Sequence, residues 1–185
     1  VEKVKEKVQK LPKTRIIECR DKCLGECLNY GIENSQGDYL VKCDADDLYG
    51  NNFIGDMILP FTYTNSAIVG KWSYYVFLEG SNQLLLRYPG NEHKFTSLVS
   101  GGTIMLKREV YEKVRFSAKN VSEDTTFLRD CIQKGLRVWS TDKYNFVQMR
   151  RRELDTHTWK IEEGEVLKKP HHLVSKGLNL EYVYI

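Results

Sequence analysis

The 185-residue sequence predicts one α/β domain, a mixed sheet flanked by helices. Three observations carry this. Helical periodicity and short apolar runs alternate through residues 1–66. A strand-rich stretch with a hairpin signal follows. Composition is globular, 41% hydrophobic and 29% charged, and a chain of this length buries roughly 70% of its unfolded surface.

Val1, Val4, Val8 and Leu11 recur at helical spacing among lysines and glutamates, and Pro12 stops that helix. Thr14 to Cys19 reads as a strand. Leu24, Cys27, Leu28 and Ile32 give a second helix, and Tyr39 to Cys43 a buried strand. Phe53 to Phe61 is a helix that Pro60 kinks or ends. The order α-β-α-β-α implies parallel strands with right-handed crossovers. Ala67 to Lys71 reads as a strand, and Trp72 to Glu79 and Gln83 to Tyr88 flank the turn Gly80-Ser81-Asn82. Thr103 to Leu106 is a strand and Arg108 to Val114 a short helix. Ser122 is placed to cap a helix carrying Phe127, Leu128, Cys131 and Ile132, with Glu123 and Asp124 in its first turn and Gly135 at its end. Leu136 to Ser140 and Asn145 to Met149 are strands. The tail shows one helical segment, Ile161 to Lys168, before Pro170 and the polar pair His171 and His172. A doubly wound sheet ordinarily begins on a strand, whereas this chain opens on a helix and on Val1. The expectation is a domain lacking its first β-α-β unit.

The net charge of +3, from 28 basic and 25 acidic side chains, gives no argument for a nucleic-acid partner. No apolar stretch reaches the ~18–20 residues of a membrane span. Five cysteines outside a small secreted scaffold fit a reduced, cytoplasmic setting. Cys19, Cys23 and Cys27 recur every four residues, but no second pair accompanies them as zinc sites require, so buried free thiols are expected.

The most informative segment is Asp44-Ala45-Asp46-Asp47, at the carboxyl end of the apolar run from Tyr39. Ligands of open α/β sheets bind outside the carboxyl ends of strands. Three acids in four residues repel one another unless a cation or donor-rich ligand joins them. An EF-hand is excluded, because Leu48 stands where a ligand belongs. Three readings remain: an ordinary acidic junction, a phosphatase of the haloacid dehalogenase type with Asp44 as nucleophile and Asp46 as acid/base, and the D-x-D by which sugar-nucleotide transferases hold a divalent metal.

Further segments point to the last. Cys27 to Ile32 resembles a helix with an N-x-G-I element, and Gly37-Asp38-Tyr39 a turn into a D-x-D strand. Ser100-Gly101-Gly102-Thr103 resembles a glycine-rich segment beside an acceptor. Ser122-Glu123-Asp124 resembles an E-D element, and His157-Thr158-Trp159 a downstream histidine motif. Taken in order over about residues 15 to 160, these pieces resemble glycosyltransferase family 2, inverting enzymes of GT-A fold.

The resemblance implies a GT-A-like domain over 1–185. Residues 1–66 would be the remaining nucleotide and metal side, 67–160 the acceptor side and 161–185 a C-terminal tail. It implies Mn²⁺ or Mg²⁺ on Asp46 and His157 with Asp44 near the ribose or the metal shell, and Asp47 holding the loop. Asn29 and Arg150 would join Asp44 and Asp46 on the donor, a UDP-sugar. Gly101, Gly102 and Trp159 would meet a saccharide or polymer acceptor. Asp124 would be the general base and Glu123 its orienting partner. Leu28 stands where many members carry Arg. The family's nucleotide-base pocket, formed by the first strand and an acidic residue after the second, would lie upstream of Val1, and the domain would be a piece of a larger enzyme of bacterial surface-polysaccharide type. A non-catalytic fragment that binds a carbohydrate or a partner is the remaining alternative.

Overall fold

The computed structural model describes residues 13–153 and 161–185. The helix expected over Val1 to Leu11 lies outside them.

Helix α1 (Leu24–Glu33) begins with a reciprocal cap, the Cys23 N–H donating to Glu26 Oε2 at 2.9 Å. A loop near residue 119 satisfies its next free amides: Leu24 N–H donates to Asn120 Oδ1 and Gly25 N–H to Lys119 O, both at 3.0 Å. The approach is so close that a Cβ on Gly25 would stand 1.9 Å from the Ser117 carbonyl oxygen. Only glycine fits there.

Strands β1 (Tyr39–Val41) and β2 (Leu48–Tyr49) bracket the acidic loop. Helices α2 (Phe53–Ile58) and α3 (Pro60–Tyr63) follow, with Pro60 opening the second, so proline divides the predicted helix where expected. Next come β3 (Ile68–Gly70), the hairpin β4 (Tyr74–Leu78) and β5 (Gln83–Arg87), and β6 (Lys94–Thr96). A 3₁₀ turn at Gly101–Thr103 leads into β7 (Met105–Lys107) and α4 (Arg108–Lys113). The chain continues through α5 (Glu123–Gln133), β8 (Val138–Ser140), β9 (Phe146–Arg150), α6 (Glu163–Leu167) and β10 (His171–Lys176).

These strands form two five-stranded mixed sheets, ordered β1-β7-β3-β8-β6 and β10-β5-β4-β9-β2. Two pairs are parallel, β3 with β8 and β4 with β9. Val69 and Met105 of the first sheet pack with Tyr74 and Phe146 of the second, and with Phe53 and Met57 of α2, in one apolar cluster. The first sheet's other core carries Ile68, Leu106 and Val138 against Phe127 and Leu128 of α5.

Several expectations are corrected. Thr14 to Cys19 forms no strand, so the parallel β-α-β start is absent from the described residues. Strand β1 lies at a sheet edge, antiparallel to β7, and alternates exposed-buried-exposed rather than being buried on both faces. Ser122 is the residue before α5, but its backbone is left-handed (φ 63°) and its side chain makes no cap bond. The tail contributes a strand, β10, which pairs with β5. All five cysteines are free. Cys131 is buried and Cys43 exposed, while Cys19, Cys23 and Cys27, expected to be buried free thiols, are free but only half-buried.

Candidate active site

The acidic loop opens into a cavity of about 650 Å³ between the two sheets. Its floor is the loop itself. The 3₁₀ turn at Gly101 and Gly102, the start of α5 and the ends of β4, β5 and β9 complete its lining.

Tyr49 pins the floor. Its hydroxyl accepts from Asp44 N–H at 2.8 Å and donates to Gly102 O at 2.9 Å. Burial drives the Tyr49 phenol upward and keeps that donor protonated. Lys42, nearly buried, donates from Nζ to Asp44 Oδ1 at 2.6 Å. Asp47 ties the loop to β9 by accepting Met149 N–H on Oδ1 at 2.9 Å. The second oxygens of Asp44 and Asp47 converge: each lies 3.0 Å from where a Cβ on Gly102 would stand. Gly102 is therefore the gap through which two carboxylates face the cavity.

Burial, with Asp44 and Asp46 adding like charge, pushes Asp47 up to about 7, against the pull of the Met149 amide. The sign of the consequence is fixed. A carboxyl whose folded pKa is raised stabilises most when protonated, and that contribution is lost as pH rises from the ordinary carboxylate range through about 7. In chelator-treated buffer, urea denaturation across pH 4 to 8 should show stability falling through this window. Asp47→Asn keeps the acceptor for Met149 and should flatten the fall. An unchanged pH profile in the variant would remove Asp47 as its source.

Asp124 accepts Thr125 N–H on Oδ1 at 2.6 Å, and its Oδ2 points to the glycine turn. A Cβ on Gly101 would stand 1.9 Å from that oxygen. The positive φ of Ser122 sets the entry to α5 that puts Asp124 here. Glu123 is only 5% exposed, and burial followed by the Asp124 and Asp44 charges raises its carboxyl above the usual range.

Asp44, Asp46, Glu123, Asp124, Gly101, Gly102 and Arg150 thus line one cavity. Asn29 does not. Both ends of its amide are taken by the Phe116 backbone, Nδ2 donating to O at 2.8 Å and Oδ1 accepting N–H at 3.0 Å. It fastens α1 to the loop before α5 and is not placed to touch a donor. His157 and Trp159 lie outside the described residues. Among the described residues no group of three His, Cys, Asp or Glu side chains is arranged to hold a metal ion. Two converging carboxylates with Asp46 beside them nonetheless supply the hard oxygens that Mg²⁺ or Mn²⁺ takes when phosphate oxygens complete the shell. Sequence reasoning missed Lys42, Trp72, Tyr74, Arg87 and Tyr88. Only Lys42, two residues from Asp44, carried a local signal.

Two mixed sheets with flanking helices and an acidic loop opening into the cavity between them define the GT-A-like fold class expected from the sequence. The chain belongs to glycosyl transferase family 2, whose profile matches residues 1–115. It is 28% identical over 141 residues to an uncharacterized glycosyltransferase of Haemophilus influenzae, covering 71% of this chain and 55% of that protein. The chain therefore spans about half the length of that relative. Among solved structures it resembles S. aureus TarS 1-349 (TM-score 0.54, 15% identity, 80% of this chain and 47% of that one). It also resembles TarS 1-349 in complex with UDP-GlcNAc (TM-score 0.57, 16% identity, 82% and 46%). At these identities the likeness is one of fold. The family assignment sets aside the phosphatase reading of Asp44 and Asp46.

Proposed function

We propose that this chain is the catalytic portion of a metal-dependent, inverting glycosyltransferase that moves a sugar from a nucleotide-diphosphate donor, a UDP-sugar, to a saccharide or cell-surface polymer acceptor. The observation that carries this reading is the facing of Asp124 Oδ2 across Gly101 to the Asp44 and Asp47 oxygens at Gly102. One base and one acidic phosphate-side locus share a single cavity. The UDP-GlcNAc held by TarS supports a UDP-sugar as the donor class. A cytoplasmic location and further domains of a larger protein belong to the same proposal. Among the described residues no helix is long and apolar enough to cross a membrane.

The chain's own groups divide the work. Asp124 takes the proton of the acceptor hydroxyl, whose oxygen attacks the anomeric carbon as the bond to the departing diphosphate oxygen breaks. Attack opposite the leaving group inverts the anomeric centre. Glu123, half of an acidic pair, orients Asp124 or the acceptor. Asp46, with Asp44, would hold Mn²⁺ or Mg²⁺ and His157 would complete the set; bound there, the ion supplies Lewis-acid neutralisation of the diphosphate. Arg150 faces the same loop and offers planar donors to phosphate oxygens. Gly101 and Gly102, whose missing side chains leave room for the Asp124, Asp44 and Asp47 oxygens, present the backbone against which the acceptor would lie.

Calorimetric titration with UDP, with and without Mn²⁺, tests this. Binding should require the metal and should be lost in Asp46→Asn. Absence of UDP binding in the metal-loaded wild-type chain would overturn the reading for this chain and favour a fragment that binds only carbohydrate or a partner.

A further inference from the structure

The cavity holds a cation that the reaction above leaves without work. Arg87 closes β5 and is 2% exposed, yet it lines the cavity. Its guanidinium sits in a tyrosine cage. Nη1 donates to Tyr74 Oη at 3.1 Å and Nη2 to Tyr88 Oη at 3.0 Å, and the two rings lie 5.7 and 4.9 Å from Cζ. Only two of the five N–H donors of a guanidinium are used, and the buried Nε–H has no partner. Among the described residues no carboxylate forms an ion pair with it. Burying an unpaired charge is costly, and cation–π contacts return only part of that cost. Folds seldom leave such a deficit unless an anion visits.

Two neighbours share the deficit. Trp72 Nε1 is buried without a partner, as is Gln148 Oε1, and both residues line the same cavity. The cavity lining therefore lacks acceptors for two donors and one donor for an acceptor. A phosphate or carboxylate next to a hydroxyl would supply both. The cage also has a side that can open. Tyr88 is half-buried and holds a left-handed backbone (φ 48°), a conformation bulky residues rarely keep without cause.

Charge balance distinguishes Arg87 from its neighbour Arg150. Arg150 lies in the field of Asp46 and Asp47 and so belongs to the acidic loop. Arg87 has no acid of its own, and Arg150 beside it adds like charge. We propose that Arg87, with Trp72 and Gln148, forms a second anion subsite that binds a phosphate or carboxylate group carried by the acceptor, the anion replacing the Tyr88 hydroxyl on Nη2. The sugar acceptor is then an anionic saccharide or polymer. This rests on the transferase reading of the cavity, and the experiment keeps the two apart.

Inorganic phosphate is titrated into the ¹⁵N-labelled wild-type chain, following the Arg87 Nε–H and Trp72 indole N–H resonances. Both should shift, and they should still shift when UDP and Mn²⁺ are already bound. Arg87→Gln should weaken phosphate binding by about tenfold or more and leave UDP affinity unchanged. Arg87 belongs to a packed cage, so the wild-type resonances decide the matter if the variant does not fold. Phosphate that moves neither signal, or that UDP displaces from Arg87, overturns the subsite; in the latter case the anion is the donor's diphosphate. Phosphate shifts in a chain that fails to bind UDP would leave the subsite standing and remove the donor reading.

Discussion

Asp124→Asn should lower sugar transfer by roughly 10²–10⁴-fold, the range expected when a positioned general base is lost. UDP affinity and melting temperature should stay near wild type. The separation follows from the two oxygens of Asp124. Oδ1 is occupied by the Thr125 amide at 2.6 Å, and an asparagine carbonyl keeps that bond. Oδ2 faces Gly101 and the cavity, and an amide nitrogen there accepts no proton. A carboxylate that served only the helix terminus would contribute ~0.3–1 kcal/mol, and its loss would appear as stability rather than rate. Gly101→Ala is the geometric counterpart. The added Cβ would stand 1.9 Å from Oδ2, so the carboxylate must swing away while the rest of the fold is untouched. It should reproduce much of the rate loss with Asp124 still present. Steady-state rates and thermal melts of both variants check this. A large drop in melting temperature with unchanged specific activity would assign Asp124 to structure.

The largest stability effect should come from Asp142→Ala. Lys71 is fully buried between β3 and β4, and its Nζ donates to Asp142 Oδ1 at 2.9 Å and to Asp142 O at 3.1 Å. Burial pulls the lysine below its ordinary range and the Asp142 carboxylate opposes that pull. Removing the carboxylate leaves the ammonium beside Phe53, whose ring is 5.9 Å away, with only the Asp142 carbonyl and the field of Asp56 to offset its charge. Breaking such a pair costs about 3–5 kcal/mol, and the partly exposed Asp142 places this case near about 3. The double variant Lys71→Met with Asp142→Ala should recover most of it, because the uncompensated charge is then gone. Urea denaturation of the three chains measures both. A double variant as unstable as the single one would show that the loss lies in other bonds of Asp142, such as the Tyr144 amide held at 2.7 Å.

Local signals were reliable where local physics decides. Glu123 and Asp124 ahead of Phe127, Leu128 and Cys131 mark a helix start in any context, and α5 runs there. Pro60 divides α2 from α3 because a missing N–H is tolerated only at a helix start. Gly80-Ser81-Asn82 between two apolar runs yields the β4–β5 hairpin. Strand β10 escaped notice for a complementary reason. Its sequence, from His171 to Lys176, is mostly polar because it is an edge strand, and its register is set by β5, some ninety residues earlier. Thr14 to Cys19 shows the converse, a run rich in β-branched residues that forms no strand because it gains no partner among the described residues.

The chemistry of the cavity was legible in the sequence, since three acids in four residues and an acidic pair at a helix start state their charge wherever they are placed. Their convergence was not. Asp44 and Asp124 meet across Gly101 and Gly102 only because β1 pairs with β7 and α5 packs on the same sheet. Arg87 was invisible for the same reason. An arginine closing a hairpin reads as solvated edge until Tyr74 on the facing strand and Tyr88 beside it close over the guanidinium. Residue type fixes what a side chain can do. Long-range pairing, which no local pattern encodes, decides which side chains share a cavity and which charges are left without a partner.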